Sequence, residues 1–161
     1  MTNDNDALML IDALQTRYVC ALDGRDLAAW LDCFAPTEAS YICLPSEGES
    51  QGLPLAIMMD DTPARLRDRA RFINSVWAGT FEDYATRHFV QRLRHARQSS
   101  GRYAVDSNFM VLYTSARGHS EILVSGSYKD EIDVSSGGAA FVSKRAVLDT
   151  VAMPRYLVYP V

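Results

Sequence analysis

Three side chains of this 161-residue sequence could form an acid–base set: Asp23, Tyr41 and His88. A carboxylate or imidazole base with a phenol donor suffices for enolisation, dehydration or cyclisation, provided the groups share one pocket. Tyr18 and Asp106 could join them. Each of these residues also has a structural role open to it. Tyr18 stands on the apolar stripe of a helix, and Asp23 falls where that helix ends. Asp106 falls on the sheet face opposite Tyr103 and Phe109. His88 follows Arg87 in a segment with no clear inner face.

Metal chemistry has less to work with. His88, His95 and His119 are joined by no HxxxH or HxxE spacing. Seven residues apart, His88 and His95 would face opposite sides of one regular strand. Cys20, Cys33 and Cys43 show no CxxC pair and read as buried small hydrophobes. These spacings supply neither a zinc site nor an iron–sulfur ligand set. GxGxxG, GxxxxGK and GxSxG are all absent from the sequence, so nucleotide cofactors and elbow-type serine hydrolysis find no support. The expectation is that this chain holds no cofactor and no metal.

The elements that must position these groups follow from periodicity. At this length one domain, 1–161, can bury about two-thirds of its unfolded surface. Residues 1–80 read as helix-rich. Leu8, Ile11, Leu14, Tyr18 and Leu22 mark one face of a helix over 6–21. Asp23-Gly24-Arg25 breaks it, and Asp26 can cap a second helix carrying Leu27, Trp30, Leu31 and Phe34 at i, i+3, i+4 and i+7. Pro36 ends that pattern. A strand over 39–44, a polar loop over 46–52 and a strand over 53–59 come next. Thr62-Pro63 then opens a helix with Leu66, Ala70, Ile73 and Trp77 on one side.

Residues 86–152 read as an antiparallel meander with turns at 97–101, 116–119 and 135–138. Tyr103, Val105, Phe109, Val111 and Tyr113 alternate with polar neighbours, as do Ile122, Val124, Tyr128 and Ile132. A change of phase near Arg145 predicts a bulge in the last strand, 139–152. Helices first and one sheet afterwards predict an α+β cone, a curved antiparallel sheet packed on N-terminal helices.

Charge is unevenly spread. Residues 1–61 hold eleven acids and two bases, 65–102 hold nine bases and three acids, and 103–161 hold five bases and six acids. The basic segment is interleaved with acids in an acidic chain. It is therefore expected to pair with the first third or with a protein partner, not with nucleic acid. No run approaches the roughly 18 apolar residues of a membrane span. The acidic N-terminus lacks a signal-peptide layout, which predicts a cytoplasmic protein. The segment 153–161 is apolar and aromatic where termini are usually polar. It predicts either a tail tucked into its own core or a partner interface at Arg155, Tyr156, Leu157 and Tyr159.

The run from Ala21 to Phe34 (ALDGRDLAAWLDCF) resembles the opening of the small (beta) subunits of aromatic-ring-hydroxylating oxygenases. Further stations match in order: Tyr41 with Pro45, Asp60-Asp61 before Leu66 and Arg69, and Thr86-Arg87-His88. Ser107-Asn108-Phe109, Gly126, Asp130, Arg145 and Leu148-Asp149 complete them. The resemblance runs from about residue 8 to the end. It departs at Arg92, where an asparagine is expected, and near Ser127-Tyr128, where an arginine often follows the glycine.

The resemblance implies a nuclear-transport-factor-two-like (cystatin-like) cone, shared with scytalone dehydratase and ketosteroid isomerase. It also implies a structural role beside a large alpha subunit that carries a Rieske [2Fe–2S] cluster and a mononuclear iron. The assembly would be alpha3beta3, and electron-transfer proteins would act on the alpha subunit. The branch implied is that of the salicylate and anthranilate hydroxylases. Two other classes stay open at this point. One is a stand-alone dehydratase, isomerase or cyclase using Asp23 or His88 as base and Tyr41 as donor. The other is a ligand-binding homo-oligomer.

Overall fold

The computed structural model describes residues 4–52, 55–98, 101–135, 137–150 and 152–161. Leu53 and Pro54 of the second predicted strand, Ser99 and Ser100 of the first turn, Ser136 of the third and Val151 lie outside the described residues. Helix α1 (Asp4–Asp23) buries Ala7, Ile11, Leu14, Tyr18, Ala21 and Leu22, the face the spacing predicts. It ends where Arg25 adopts a φ of 60°. The Asp26 carboxylate accepts the Ala29 amide at 2.9 Å and starts α2 (Leu27–Leu31). That helix is shorter than its apolar stripe. Phe34 leaves it for a parallel bridge to Phe141, and the backbones of Cys33 and Ala35 pair with Phe141 instead of continuing the helix.

Strand β1 (Ser40–Pro45) follows, then α3 (Ser46–Ser50) where a polar loop was expected. Glu47 and Glu49 sit in its first turn, where the helix dipole favours acids, and Glu49 also takes Lys129 at 2.9 Å. Strand β2 covers only Met58–Asp60. Helix α4 (Pro63–Phe72) begins as predicted, with Thr62 accepting the Arg65 amide at 3.2 Å. It runs into a π-helical turn, Ile73–Trp77.

The meander is β3 (Tyr84–Arg97), β4 (Arg102–Ser115), β5 (Ser120–Ser135) and β6 (Gly138–Leu148). The six strands form one open sheet in the order β2-β1-β6-β5-β4-β3. It is not wholly antiparallel, because β1 lies parallel to β6. The long crossover such a pair needs is supplied by everything between them. Helix α1 touches β3, β5 and β6. In a flat sheet β3 and β6 would lie roughly 14 Å apart, so one helix reaches both only if the sheet curls round it. That is the predicted α+β cone.

Three register shifts re-aim side chains. A bulge at Leu93 returns His95 to the face of His88, so the two histidines do not face opposite sides. One at Leu123 turns Ile122 outward, against its predicted place in the core. The third, at Val142, lies three residues before the phase change predicted near Arg145, and it turns Lys144 inward.

The charge imbalance is largely resolved within the chain. Arg65, Arg69, Arg92, Arg97 and Arg102 pair with Asp61, Asp60, Asp12, Asp4 and Glu38, all from the acidic first third. Cys33 and Cys43 are buried, and burial pushes their thiols up to about 11 and about 12, so both stay neutral. Cys20 is exposed, contrary to expectation, because it falls on the outer face of α1.

Candidate functional site

Asp23 ends α1 beside the edge strand β3. Its carboxylate accepts the Thr86 hydroxyl at 2.9 Å and the His88 amide at 3.1 Å, and it meets His88 Nδ1 at 2.6 Å. Burial pushes the Asp23 carboxyl up. The hydrogen bond and charge of His88, with its amide and the Thr86 hydroxyl, outweigh that and hold it below the usual range. An imidazole that donates Nδ1–H to a carboxylate keeps Nε2 for other work. The His88 side chain is 2% exposed, and its Nε2 has no hydrogen-bond partner among the described residues. A carboxylate that orients an imidazole is half of an acid–base machine.

The other half is elsewhere. Tyr41 is fully buried on β1, and its hydroxyl donates to the Val161 oxygen at 3.1 Å and accepts the Val161 amide at 3.0 Å. The Tyr18 hydroxyl donates to the same oxygen at 2.9 Å. Burial raises both phenols well above their ordinary value. Among the described residues, then, Tyr41 bonds the tail and neither Asp23 nor His88. Asp106 faces outward and pairs with Arg94. The structure joins two of the three predicted groups and separates the third.

Aromatic rings pack the interior around Tyr41 and Tyr128. Trp30 packs on Phe34 at 5.1 Å and on Tyr41 at 6.1 Å, Phe34 on Phe141 at 5.7 Å, and Phe109 stacks flat on Tyr128 at 4.1 Å. Open volume lies to one side, as a groove of about 420 Å³ between α1 and β3–β4, lined by Gln15, Val19, His88 and Ser107 among others. Arg92, the departure from the family pattern, spans that groove and clasps Asp12 with two hydrogen bonds of 2.8 and 3.0 Å.

Sequence reasoning missed a buried ion pair. Lys144 Nζ lies 3.0 Å from Asp130 Oδ2 and 3.4 Å from Gln15 Oε1, with both charged side chains wholly enclosed. The ammonium sits 3.6 Å from the Tyr128 ring centroid, 4.3 Å from Phe141 and 4.4 Å from Tyr18, a cage of negative π faces. Burial raises Asp130 to about 6 against the opposing pull of Lys144, and lowers Lys144 against the pull of Asp130. Asp130 was legible, since it shares the phase of Tyr128 and Ile132. Lys144 was not, because the Val142 bulge decides its direction.

The tail divides. Val158, Pro160 and Val161 are buried. Arg155 lies 3.9 Å over the Tyr84 ring and donates to the Glu82 carbonyl, while Tyr159 stands between Phe81 and Arg25, whose guanidinium is 3.8 Å from its ring. Leu157 is half-buried, and Tyr156 is 52% exposed. Tyr156 meets Trp77, which meets Phe72, each at 6.1 Å. With Val76, 53% exposed, they make an apolar patch on the outside of α4 and its π-helical turn.

Among the described residues no group of three or more His, Cys, Asp or Glu could hold a metal ion, and no helix is long and apolar enough to cross a membrane. The described side chains do not fit an iron–sulfur cluster or an iron centre.

The model of a family described as ring hydroxylating beta subunit matches residues 17–155. The small subunit of anthranilate 1,2-dioxygenase from Burkholderia cepacia is 29% identical over 161 residues, all of this chain and 98% of the relative. A Novosphingobium aromaticivorans structure, assigned as the beta subunit of an aromatic-ring-hydroxylating dioxygenase, superposes with a TM-score of 0.82 at 24% identity, covering 93% of each chain. The beta subunit of benzoate 1,2-dioxygenase from Burkholderia mallei gives 0.74 at 21% identity, covering 98% and 99%.

Proposed function

The chain belongs to the ring hydroxylating beta subunit family, and from that membership we propose that it is the structural small subunit of a hetero-oligomeric Rieske-type oxygenase. It assembles and stabilises the large subunits that carry the [2Fe–2S] cluster and the mononuclear iron. The stoichiometry proposed is alpha3beta3 in the cytoplasm, with electron-transfer proteins serving the alpha subunit. The substrate class is an aromatic acid or hydrocarbon. The anthranilate enzyme among the relatives points to an aromatic acid.

One observation carries the non-catalytic part of this reading. The Tyr41 hydroxyl is spent on Val161, inside a cone packed with rings, so among the described residues it bonds neither Asp23 nor His88. The lack of a ligand set among the described residues agrees with iron chemistry belonging to the partner. A dehydratase, isomerase or cyclase is favoured by one feature only, the Asp23–His88 contact. It lacks the donor.

The partner interface is proposed at Tyr156 with Phe72, Val76 and Trp77. Arg155 lies 5.7 Å from the Tyr156 ring at the border of that patch, while Leu157 and Tyr159 pack against the core. Exposed aromatics beside arginine are what interfaces enrich. Val76→Asp and Tyr156→Asp together should leave the fold within about 0.5 kcal/mol of the parent, because both side chains are half exposed. Co-purified large subunit should fall about 30-fold, the loss expected of roughly 2 kcal/mol at a hot spot. An undiminished yield of complex would place the interface elsewhere.

A further inference from the structure

The segment from 152 to 161 is bound in an unusual way. Among the described residues it makes no backbone–backbone hydrogen bond, the last before it being Asp149 to Ser125. Rings, the guanidinium groups of Arg25 and Arg155 and the two phenols hold it instead. Those phenols come from different elements, Tyr18 from α1 and Tyr41 from β1, and both aim at one oxygen. Tyr41 also receives the amide of the same residue. Val161 is 2% exposed. An enclosed apolar site with a few convergent polar groups is the usual design of a small-molecule pocket.

We propose that the interior of the cone is a binding site for a small acylamino acid or amide with a branched apolar body, and that the chain fills it in cis with Val161 on an exchangeable strap. The clamp supplies two O–H donors to a carbonyl or carboxylate oxygen and one acceptor to an amide N–H. The walls select a branched body over an unbranched one. The Asp23–His88 pair plays no part in it.

Two measurements test this. In the unmodified full chain, the Val161 amide should exchange its hydrogen at least about 100-fold faster than core amides of β4 and β5, because opening the strap does not require unfolding the sheet. Equal protection would make the tail a fixed part of the core and overturn the proposal. In the chain shortened after Leu157, N-acetyl-L-valine at about 10 mM should raise the melting temperature by about 3 °C. N-acetylglycine should not, and the shift should vanish in a Tyr41→Phe background and in the full-length chain, where the site is taken. No shift in the shortened chain, or the same shift in all of them, would overturn the site. If the shortened chain does not fold, the exchange measurement still decides whether the strap opens.

Discussion

Gly126→Ala should leave little folded protein. Gly126 faces Leu148 across the β5–β6 ladder. A Cβ built on it would lie 2.0 Å from the Val147 oxygen, 3.0 Å from the Val147 carbonyl carbon and 3.1 Å from Leu148 Cα. Those atoms are backbone, so no side chain can swing aside. The strands would have to part by more than an ångström where Leu148, Ala146 and Tyr128 are all buried. A cost above about 4 kcal/mol is expected, in the far tail for single substitutions. That is a large share of the roughly 5–15 kcal/mol that holds a domain together. The melting temperature, followed by circular dichroism, should fall by at least about 10 °C. A fall of only a few degrees would mean that the β6 end yields, and that the close approach is not structural.

Lys144→Met should be the second most damaging change, and its damage should depend on pH. The substitution leaves Asp130 buried without its cation. Breaking a buried pair on one side costs about 3–5 kcal/mol. Asp130 escapes part of that cost by taking a proton. With Lys144 in place burial already raises its pKa to about 6, and without Lys144 it must rise further. A carboxyl whose folded pKa is raised adds stability below its unfolded value, near 4, and loses that contribution as pH climbs through the folded value. The gap between parent and Lys144→Met should therefore be narrow at pH 5 and wide at pH 8. Denaturant melts at the two values measure it. Asp130→Leu combined with Lys144→Met should recover most of the loss, since no charge is left stranded. A gap independent of pH, or a double variant as weak as the single one, would contradict the pairing.

What the residues disclose in advance depends on whether local chemistry or tertiary contact decides. Asp26 and Thr62 cap their helices as their types require. The alternation of Tyr103, Val105, Phe109 and Val111 puts the right face of β4 inside. Local rules fail where another element intervenes. The stripe of Leu27, Trp30 and Phe34 predicts one helix, yet β6 takes the backbone at Cys33 and Ala35. Each bulge reverses a face that strict alternation had fixed, and so Ile122, His95 and Lys144 all point the other way. For the site, the closeness of Asp23 to His88 follows from a helix end meeting an edge strand. The separation of Tyr41 could not be seen, because it depends on a sheet order that puts β6, β5 and β4 between β1 and β3, and on where the tail comes to rest.

A subunit that works by assembly should travel with its partner. The most direct measurement is affinity purification of the tagged chain under native conditions from its own host, with identification of what co-elutes and its visible spectrum. An equimolar large subunit with Rieske-type iron–sulfur absorbance is the expected result. A colourless chain eluting alone would contradict it, and the Asp23–His88 pair would then be the place to seek an activity.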